Sequence, residues 1–540
     1  MTAVIRIAAL ALACLWSGGG YAASIRSAHP HVPPPRPLIV IPGIAGSELW
    51  IDGKLAWGTL DGLRHLENLR IADGPRKIAA ADTCDPSNSN DAYRASCGTL
   101  NQFIALGPLK ADVYEPLWQF LESLGYFRFG ERKNLFVFPY DWRRSNFDTA
   151  ADLDAFIKSK PELAGKEIDI LAHSMGGLVS LIYTTRYDAP SDPEGRCDFP
   201  RSCRVKTVIT MGTPFWGSVT AVATPFLGWG RASRWLIGGT DTIMRTLLSW
   251  PSLYELLPTY ENCCVSTDGP KPRSLNLLDP TDFSAVPFEL GRHGIAVAHV
   301  TDALKAAAEL RKMVDAGFPR HVRNATTCPR LPSEGLFTIA GDRNGTRQSV
   351  TIGSGRMLYV ERRGDGTVSL RSATFGNPSG GFLSFMPHMS IFNDENAQAK
   401  LETILFRCEM AFNDFSGNIP TVEIERQLGP SARLPIDFVS VELAEDNSTP
   451  DGFAATGTLS LTAPDDAVAP VALLTVKLDG KEVIRTEVKS TTRRLDGSIT
   501  QFEYVVRSIK IDGEGRVDVE MIFGNSGPAA TDHLSLLAKP

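Results

Sequence analysis

The chain has 540 residues, of which 43% are hydrophobic and 21% charged, and its formal net charge at pH 7 is -6. That length is more than one ordinary domain needs, and the composition is that of a soluble globular protein, so two domains are expected. With 61 acidic residues against 55 basic ones and no dense lysine or arginine cluster, the chain lacks the electrostatic footprint of a nucleic-acid binder.

Residues 1–23 read as an export signal. Arg6 lies near the start, residues 7–16 are apolar, and Gly20-Tyr21-Ala22 is followed by Ala23 and Ser24, small residues suited to cleavage. The run is too short to span a bilayer and breaks at Gly18-Gly19-Gly20, and no later stretch of about 20 apolar residues follows. The expected location is the periplasm, the cell surface or the medium. Cys14 offers a rival reading as a lipoprotein attachment site, although a leucine is more usual where Ala11 stands.

Apart from Cys14, the cysteines are Cys84, Cys97, Cys197, Cys203, Cys263, Cys264, Cys328 and Cys408, an even set in a chain that reads as exported. Cys84 with Cys97 and Cys197 with Cys203 would close short polar loops. The neighbours Cys263 and Cys264 are expected to reach outward to Cys328 and Cys408. A zinc site is the rival reading, but paired C-x-x-C spacing and nearby histidines are missing.

After a proline-rich leader at 24–36, the catalytic domain is expected over 37–415. Its first apolar run, Leu38-Ile39-Val40-Ile41, looks like a buried parallel strand, and similar runs recur at 135–138, 168–171, 208–211 and 336–340. Helical patterns lie between and after them at 113–124, 152–158, 177–186, 304–314 and 397–406. Strands alternating with helices imply a mostly parallel sheet covered on both faces, an α/β fold. The excess length falls into insertions at about 50–107 and 214–330, expected to form a lid and a cap. Residues 416–540 change to short alternating stretches separated by Asp-Gly turns, which predicts a small all-β, sandwich-like domain.

The strongest chemical signal is Ile168-Asp169-Ile170-Leu171-Ala172-His173-Ser174-Met175-Gly176-Gly177, a strand running through a small-residue turn into a helix. Such a nucleophile elbow lifts the serine hydroxyl above the sheet, with Ala172 standing where a glycine is usual. A serine hydroxyl is a weak nucleophile at neutral pH. It needs a histidine to take its proton and a carboxylate to hold that histidine, in the chain order Ser, Asp or Glu, His. Asp365 in Gly364-Asp365-Gly366-Thr367-Val368 and His388 in Met386-Pro387-His388-Met389-Ser390 satisfy that order. The alternative for Asp365 is an ordinary Asp-Gly turn. His293, His299 and His321 precede every good acid candidate, and His173 reads as structural. The Met175 N–H is a candidate oxyanion donor, and Pro42-Gly43-Ile44-Ala45-Gly46-Ser47 can present the Ile44 N–H as the second.

With these segments in hand, the chain resembles the lecithin:cholesterol acyltransferase family. The likeness is carried, in order, by Ile41-Pro42-Gly43-Ile44-Ala45-Gly46-Ser47, Pro139-Tyr140-Asp141-Trp142-Arg143, Ala172-His173-Ser174-Met175-Gly176-Gly177, Pro251-Ser252-Leu253-Tyr254-Glu255-Leu256-Leu257-Pro258, the Gly364–Val368 loop and His388. It runs from about residue 37 to 408 and leaves the β domain uncovered. The resemblance implies an α/β-hydrolase fold, a Ser174-Asp365-His388 triad and a lipid ester substrate, met at a membrane or lipid surface, whose acyl group passes to water or an alcohol. It also suggests that Cys84 and Cys97 close a lid near the site. The stretch 348–363 looks like an insertion, and Ser369 stands where the family usually has proline. Tyr140–Arg143 reads as a support beneath the site, with Trp142 lining an acyl pocket as the alternative. Trp216, Trp229, Trp235 and Trp250, mixed with Phe215, Phe226, Leu227, Leu236 and Ile237, could seat an acyl chain or form the core of the cap. No metal or organic cofactor is implied. The rival functions are an esterase of non-lipid esters and a catalytically inactive surface-binding protein.

Overall fold

The computed structural model describes the chain from Pro34 to Leu536, apart from Pro35 and residues 52–53, 72–77, 80–97, 101, 107–108, 193, 229–238, 270, 324–334, 354–355, 377–381, 407–435, 446–451, 463–470, 497–498, 512–514 and 524–528. The export signal, Cys84, Cys97, Trp229, Trp235, Cys328 and Cys408 lie outside the described residues. Two compact units are present, one of residues 1–346 and 364–414, the other of Arg347–Arg363 and Phe415–Pro540.

The first unit is built on six parallel strands: β1 (Leu38–Ile41), β2 (Leu135–Val137), β3 (Ile168–His173), β4 (Val205–Met211), β5 (Leu336–Gly341) and β6 (Phe382–Ser384). They lie side by side in the order β6-β5-β4-β3-β1-β2, every neighbouring pair parallel. β1, β2 and β3 are buried along their whole length, as expected of strands covered on both faces. The helices are α1 (Glu115–Ser123), α2 (Asn146–Ser159), α3 (Gly176–Arg186), α4 (Val297–Ala316) and α5 (Glu395–Leu405). This is the α/β-hydrolase fold.

All five strands and all five helical patterns read from the sequence correspond to elements here. Two helices run longer than their patterns. α2 begins at Asn146 because Ser145 caps it, accepting from the Phe147 N–H, and α4 extends to Gly317, whose φ of 72° ends it. β6 gave no signal because Phe382 and Leu383 are its only apolar residues, set between Gly380-Gly381 and Ser384.

The start of β3 is anchored by an ion pair from the half-buried Arg36 Nε to the buried Asp169 Oδ1 at 2.9 Å. The excursion after β4 contains helices Val219–Leu227, Thr240–Leu247 and Pro251–Glu255, followed by α4. It is a folded cap with a core of its own. Phe226 stacks on Phe288, and Trp250 is buried edge-on to Trp142. Of the aromatic residues considered for an acyl chain, Phe215, Phe226 and Trp250 are therefore core. Trp216 is half-buried, flanked by the guanidinium groups of Arg311 and Arg371.

The second unit has two antiparallel four-stranded sheets. Its strands are β7 (Ile436–Glu445), β8 (Gly452–Thr462), β9 (Ala472–Leu478), β10 (Lys481–Val488), β11 (Ser490–Asp496), β12 (Ile499–Lys510), β13 (Gly515–Phe523) and β14 (Ala529–Leu536). They are ordered β7-β8-β12-β11 and β10-β9-β13-β14. Val441, Phe453 and Tyr504 of one sheet share an apolar cluster with Leu474, Val476 and Val519 of the other, which makes a sandwich. The stretch expected to be an insertion, 348–363, falls in the strands Thr346–Gly353 and Arg356–Arg362; residues 347–363 do interrupt the first unit, and they belong to the second rather than to the catalytic domain, with Val360 in the same apolar cluster.

Candidate active site

β3 ends at His173 and α3 begins at Gly176, so Ser174 and Met175 make the whole turn. Ser174 adopts φ 52°, a left-handed conformation costly for a residue with a Cβ and held here by its N–H donating to Met211 O at 2.8 Å. The strain places Oγ at the carboxyl end of the sheet, beside the N-terminus of α3.

The loops after β5 and β6 meet Ser174 there. Ser174 Oγ is 2.9 Å from His388 Nε2, and His388 Nδ1 is 2.7 Å from Asp365 Oδ2. Asp365 is oriented by its own loop, its Oδ1 accepting from the Thr367 N–H at 2.9 Å and the Val368 N–H at 2.7 Å. Its carbonyl accepts from the His388 N–H at 2.8 Å, which fixes the histidine backbone to the acid loop. All three side chains are nearly buried, Ser174 being 4% exposed, Asp365 1% and His388 6%. The left-handed Gly212 (φ 60°) passes close behind, where a Cβ would lie 2.9 Å from Asp365 Oδ2 and 3.0 Å from His388 Nδ1.

The loop after β1 lies on the other side of Ser174. At Gly43 a Cβ would stand 2.7 Å from Ser174 Cβ and 3.3 Å from Oγ, so this close approach requires glycine. The loop is tied down on three sides. The Gly43 N–H donates to Tyr114 Oη at 3.0 Å, Tyr140 Oη donates to Pro42 O at 2.8 Å, and Trp142 Nε1 donates to Ser47 O at 3.0 Å. Arg143 grips Asp141 through two bonds of 2.8 and 2.7 Å and donates to Leu69 O at 3.0 Å. Tyr140–Arg143 is thus the brace of this loop. Ile44 and Met175, the two candidate oxyanion donors, sit in the two chain segments that Gly43 brings together, and Met175 stands at the α3 N-terminus, where negative charge is favoured.

His173 joins the two sides. Its Nδ1 is 2.8 Å from Tyr114 Oη, and its Nε2 is 3.1 Å from His388 O. Burial, reinforced by the charge of His388, lowers its pKa well below the ordinary value, so it stays neutral. A neutral ring with the proton on Nε2 satisfies every contact: Nε2–H donates to His388 O, Tyr114 O–H donates to Nδ1, and Gly43 N–H donates to Tyr114 Oη. Tyr114 was not singled out by the sequence reading. It sits at the start of a helical pattern, where nothing distinguishes a hydrogen-bonding tyrosine from a core one.

The cysteines divide. Cys197 and Cys203 form a disulfide, as their spacing suggested. Cys263 and Cys264 carry free thiols here, which departs from the expected bonds to Cys328 and Cys408. Both are buried, and each thiol faces the other.

The lecithin:cholesterol acyltransferase family model matches residues 97–276. Lecithin-cholesterol acyltransferase-like 4 of Arabidopsis thaliana is 25% identical over 265 residues, 44% of this chain and 45% of that protein, so the chain spans about half the length of the curated relative it matches. Among solved structures, the Tle4-Tli4 complex is matched with 14% identity and a TM-score of 0.42, over 70% of this chain and 99% of that one. The mature form of the Bacillus licheniformis lipase BlEst2 is matched with 13% identity and a TM-score of 0.29, over 71% of this chain and 95% of that one. The family match includes the elbow, the Tyr140–Arg143 brace and the Pro251–Pro258 cap segment but neither the loop after β1 nor Asp365 and His388, which the fold brings to the elbow. The resemblance read from the sequence therefore stands, and residues 97–276 are lecithin:cholesterol acyltransferase-like.

Proposed function

We propose that this chain is an exported serine hydrolase or acyltransferase that acts on lipid esters, phospholipid or acylglycerol, through a Ser174-His388-Asp365 triad and an acyl-enzyme. The observation that carries the reading is the continuous pair of contacts from Ser174 Oγ to His388 Nε2 and from His388 Nδ1 to Asp365 Oδ2. His388 takes the hydroxyl proton as Ser174 Oγ attacks the ester carbonyl, and Asp365 stabilises the imidazolium and keeps the ring in the productive tautomer. The Ile44 and Met175 N–H groups receive the oxyanion. His388 then returns the proton to the leaving alcohol, and the acyl-enzyme passes its acyl group to water or a second alcohol by the same steps in reverse. Lipid as the substrate class rests on the family likeness of residues 97–276. Export rests on the apolar N-terminal segment and is consistent with the Cys197–Cys203 disulfide.

The test is mass spectrometry of the protein and of Ser174→Ala after incubation with phosphatidylcholine vesicles, with and without a long-chain alcohol. The expected result is Ser174-dependent release of fatty acid or alkyl ester, and the ratio of the two names the acceptor. Turnover of soluble short-chain esters with no lipid product would replace the lipid reading with that of a general esterase. No product and no adduct from either class would overturn the enzyme reading.

A further inference from the structure

Cys263 and Cys264 follow a tight turn. The Cys263 N–H donates to Tyr260 O at 3.2 Å, Asn262 takes φ 58°, and Cys264 opens the short strand Cys264–Ser266, which pairs with Arg273–Ser274. Both side chains are buried, and their sulfur atoms stand 3.0 Å apart, closer than unbonded sulfurs pack.

We propose that Cys263 and Cys264 are a covalent redox site, closing a disulfide between adjacent residues. Closure needs a disulfide oxidant, either a thiol-disulfide oxidoreductase or a low-molecular-weight disulfide. The thiolate of one cysteine attacks the oxidant, forming a mixed disulfide and releasing one thiol. The second cysteine then attacks the mixed disulfide, forming the Cys263–Cys264 bond and releasing the second thiol. The pair gives up two electrons and two protons, and the oxidant disulfide becomes two thiols. Burial raises the Cys264 thiol well above its ordinary pKa, so its thiolate is scarce once the turn is packed and closure is favoured in the folding chain.

The ring differs from the Cys197–Cys203 bond in a predictable way. Adjacent Cα atoms lie about 3.8 Å apart across a trans peptide, below the usual range of about 4.4–6.8 Å for disulfides. Cys197 and Cys203 span 5.7 Å, inside that range. The vicinal ring is therefore the more easily reduced of the two. Its position gives it something to hold. The turn it closes carries Tyr260, a buried ring that lies against the Arg371 guanidinium and hydrogen-bonds Ser369, the residue that caps the short helix after the Asp365 loop.

The experiment reduces and unfolds the full chain, refolds it with excess glutathione disulfide, then unfolds it in iodoacetamide without reductant, digests it and weighs the peptides. Closure of Cys197–Cys203 in the same molecules is the internal control for oxidation. The expected result is a peptide containing Cys263 and Cys264 that is two hydrogen atoms lighter than its dithiol form and carries no alkyl group, while Cys263→Ser leaves Cys264 alkylated once. Two alkyl groups on the wild-type peptide, or a crosslink from it to Cys328 or Cys408, would overturn the proposal. In progressively more reducing glutathione buffers the vicinal bond is expected to open before Cys197–Cys203, and the opposite order would make it a structural bond rather than a redox site.

Discussion

The two sides of Ser174 are held in different ways. On the acid side, Asp365 is oriented by N–H groups two and three residues further along its own loop. The cap adds to this through Ser218 and Thr220, whose hydroxyls donate to Thr367 O. On the oxyanion side, the loop after β1 makes its bonds to Tyr114, Tyr140 and Trp142, partners 71, 98 and 95 residues away. A side chain that must carry charge is oriented locally. The loop proposed to present backbone N–H groups is held by the tertiary structure, and the hydrogen-bonded line Gly43–Tyr114–His173–His388 makes the two sides one unit.

If the acid side does its work through a single carboxylate, its removal gives the largest effect. Asp365→Asn keeps the size and much of the hydrogen bonding of the side chain but favours the wrong tautomer of His388, and kcat is expected to fall by on the order of 10⁴. A loss below about tenfold in steady-state ester turnover would show that another acid orients the histidine.

The oxyanion side is broken most directly at Gly43. An alanine there would push its Cβ to 2.7 Å from Ser174 Cβ, so the loop must retreat and carry the Ile44 N–H with it. Loss of one oxyanion donor costs about 10²–10³ in kcat, and Gly43→Ala is expected in that range with KM little changed. Wild-type turnover in this variant would remove the loop from the oxyanion site.

Tyr114 sharpens the comparison, since its hydroxyl bonds to Gly43 on one side and to His173 on the other. Tyr114→Phe leaves the Gly43 N–H and His173 Nδ1 buried without their partner, at a cost of about 1–3 kcal/mol for each group left unsatisfied. The expected outcome is a fall in kcat of roughly tenfold at unchanged KM, beyond the loss of thermal stability. A stability loss with kcat unchanged would reduce Tyr114 to a packing residue.

The same contrast governs what the sequence disclosed. Ser174, Asp365 and His388 sit in short strings whose turn chemistry and chain order are visible locally, and the structure brings them within hydrogen-bond distance of one another. Five strands were legible as apolar runs, whereas β6, Phe382-Leu383-Ser384, follows two glycines and offers only two apolar residues. Tyr114 was not legible, because its partners are fixed by the fold. The two readings of the cap aromatics separate only when burial is known, since a tryptophan that packs in a core and one that meets lipid look alike in sequence. The assignment of the 347–363 hairpin depends on where Val360 is buried, which alternation along a strand does not specify.

The smallest effect on activity and the clearest effect on stability is expected at Glu255, which ties the cap to the main body of the unit. Its carboxylate accepts from the Ser145 hydroxyl and from the Asn146 N–H and side-chain amide, both at 2.7 Å, and so holds the N-terminus of α2. Burial is the larger influence and pushes its pKa up to about 7 from the ordinary 4.5, with the three donors opposing. The folded protein therefore favours the protonated form more than the unfolded chain does. The contribution to stability is full below about 4.5 and is lost as the pH rises to about 7, by on the order of 3 kcal/mol at most. Glu255→Gln cannot ionise, so its thermal midpoint should fall less than that of the wild type between pH 5 and pH 8. Equal falls in the two proteins would mean that the donors on α2 outweigh burial and that Glu255 is ionised in the folded state throughout this range.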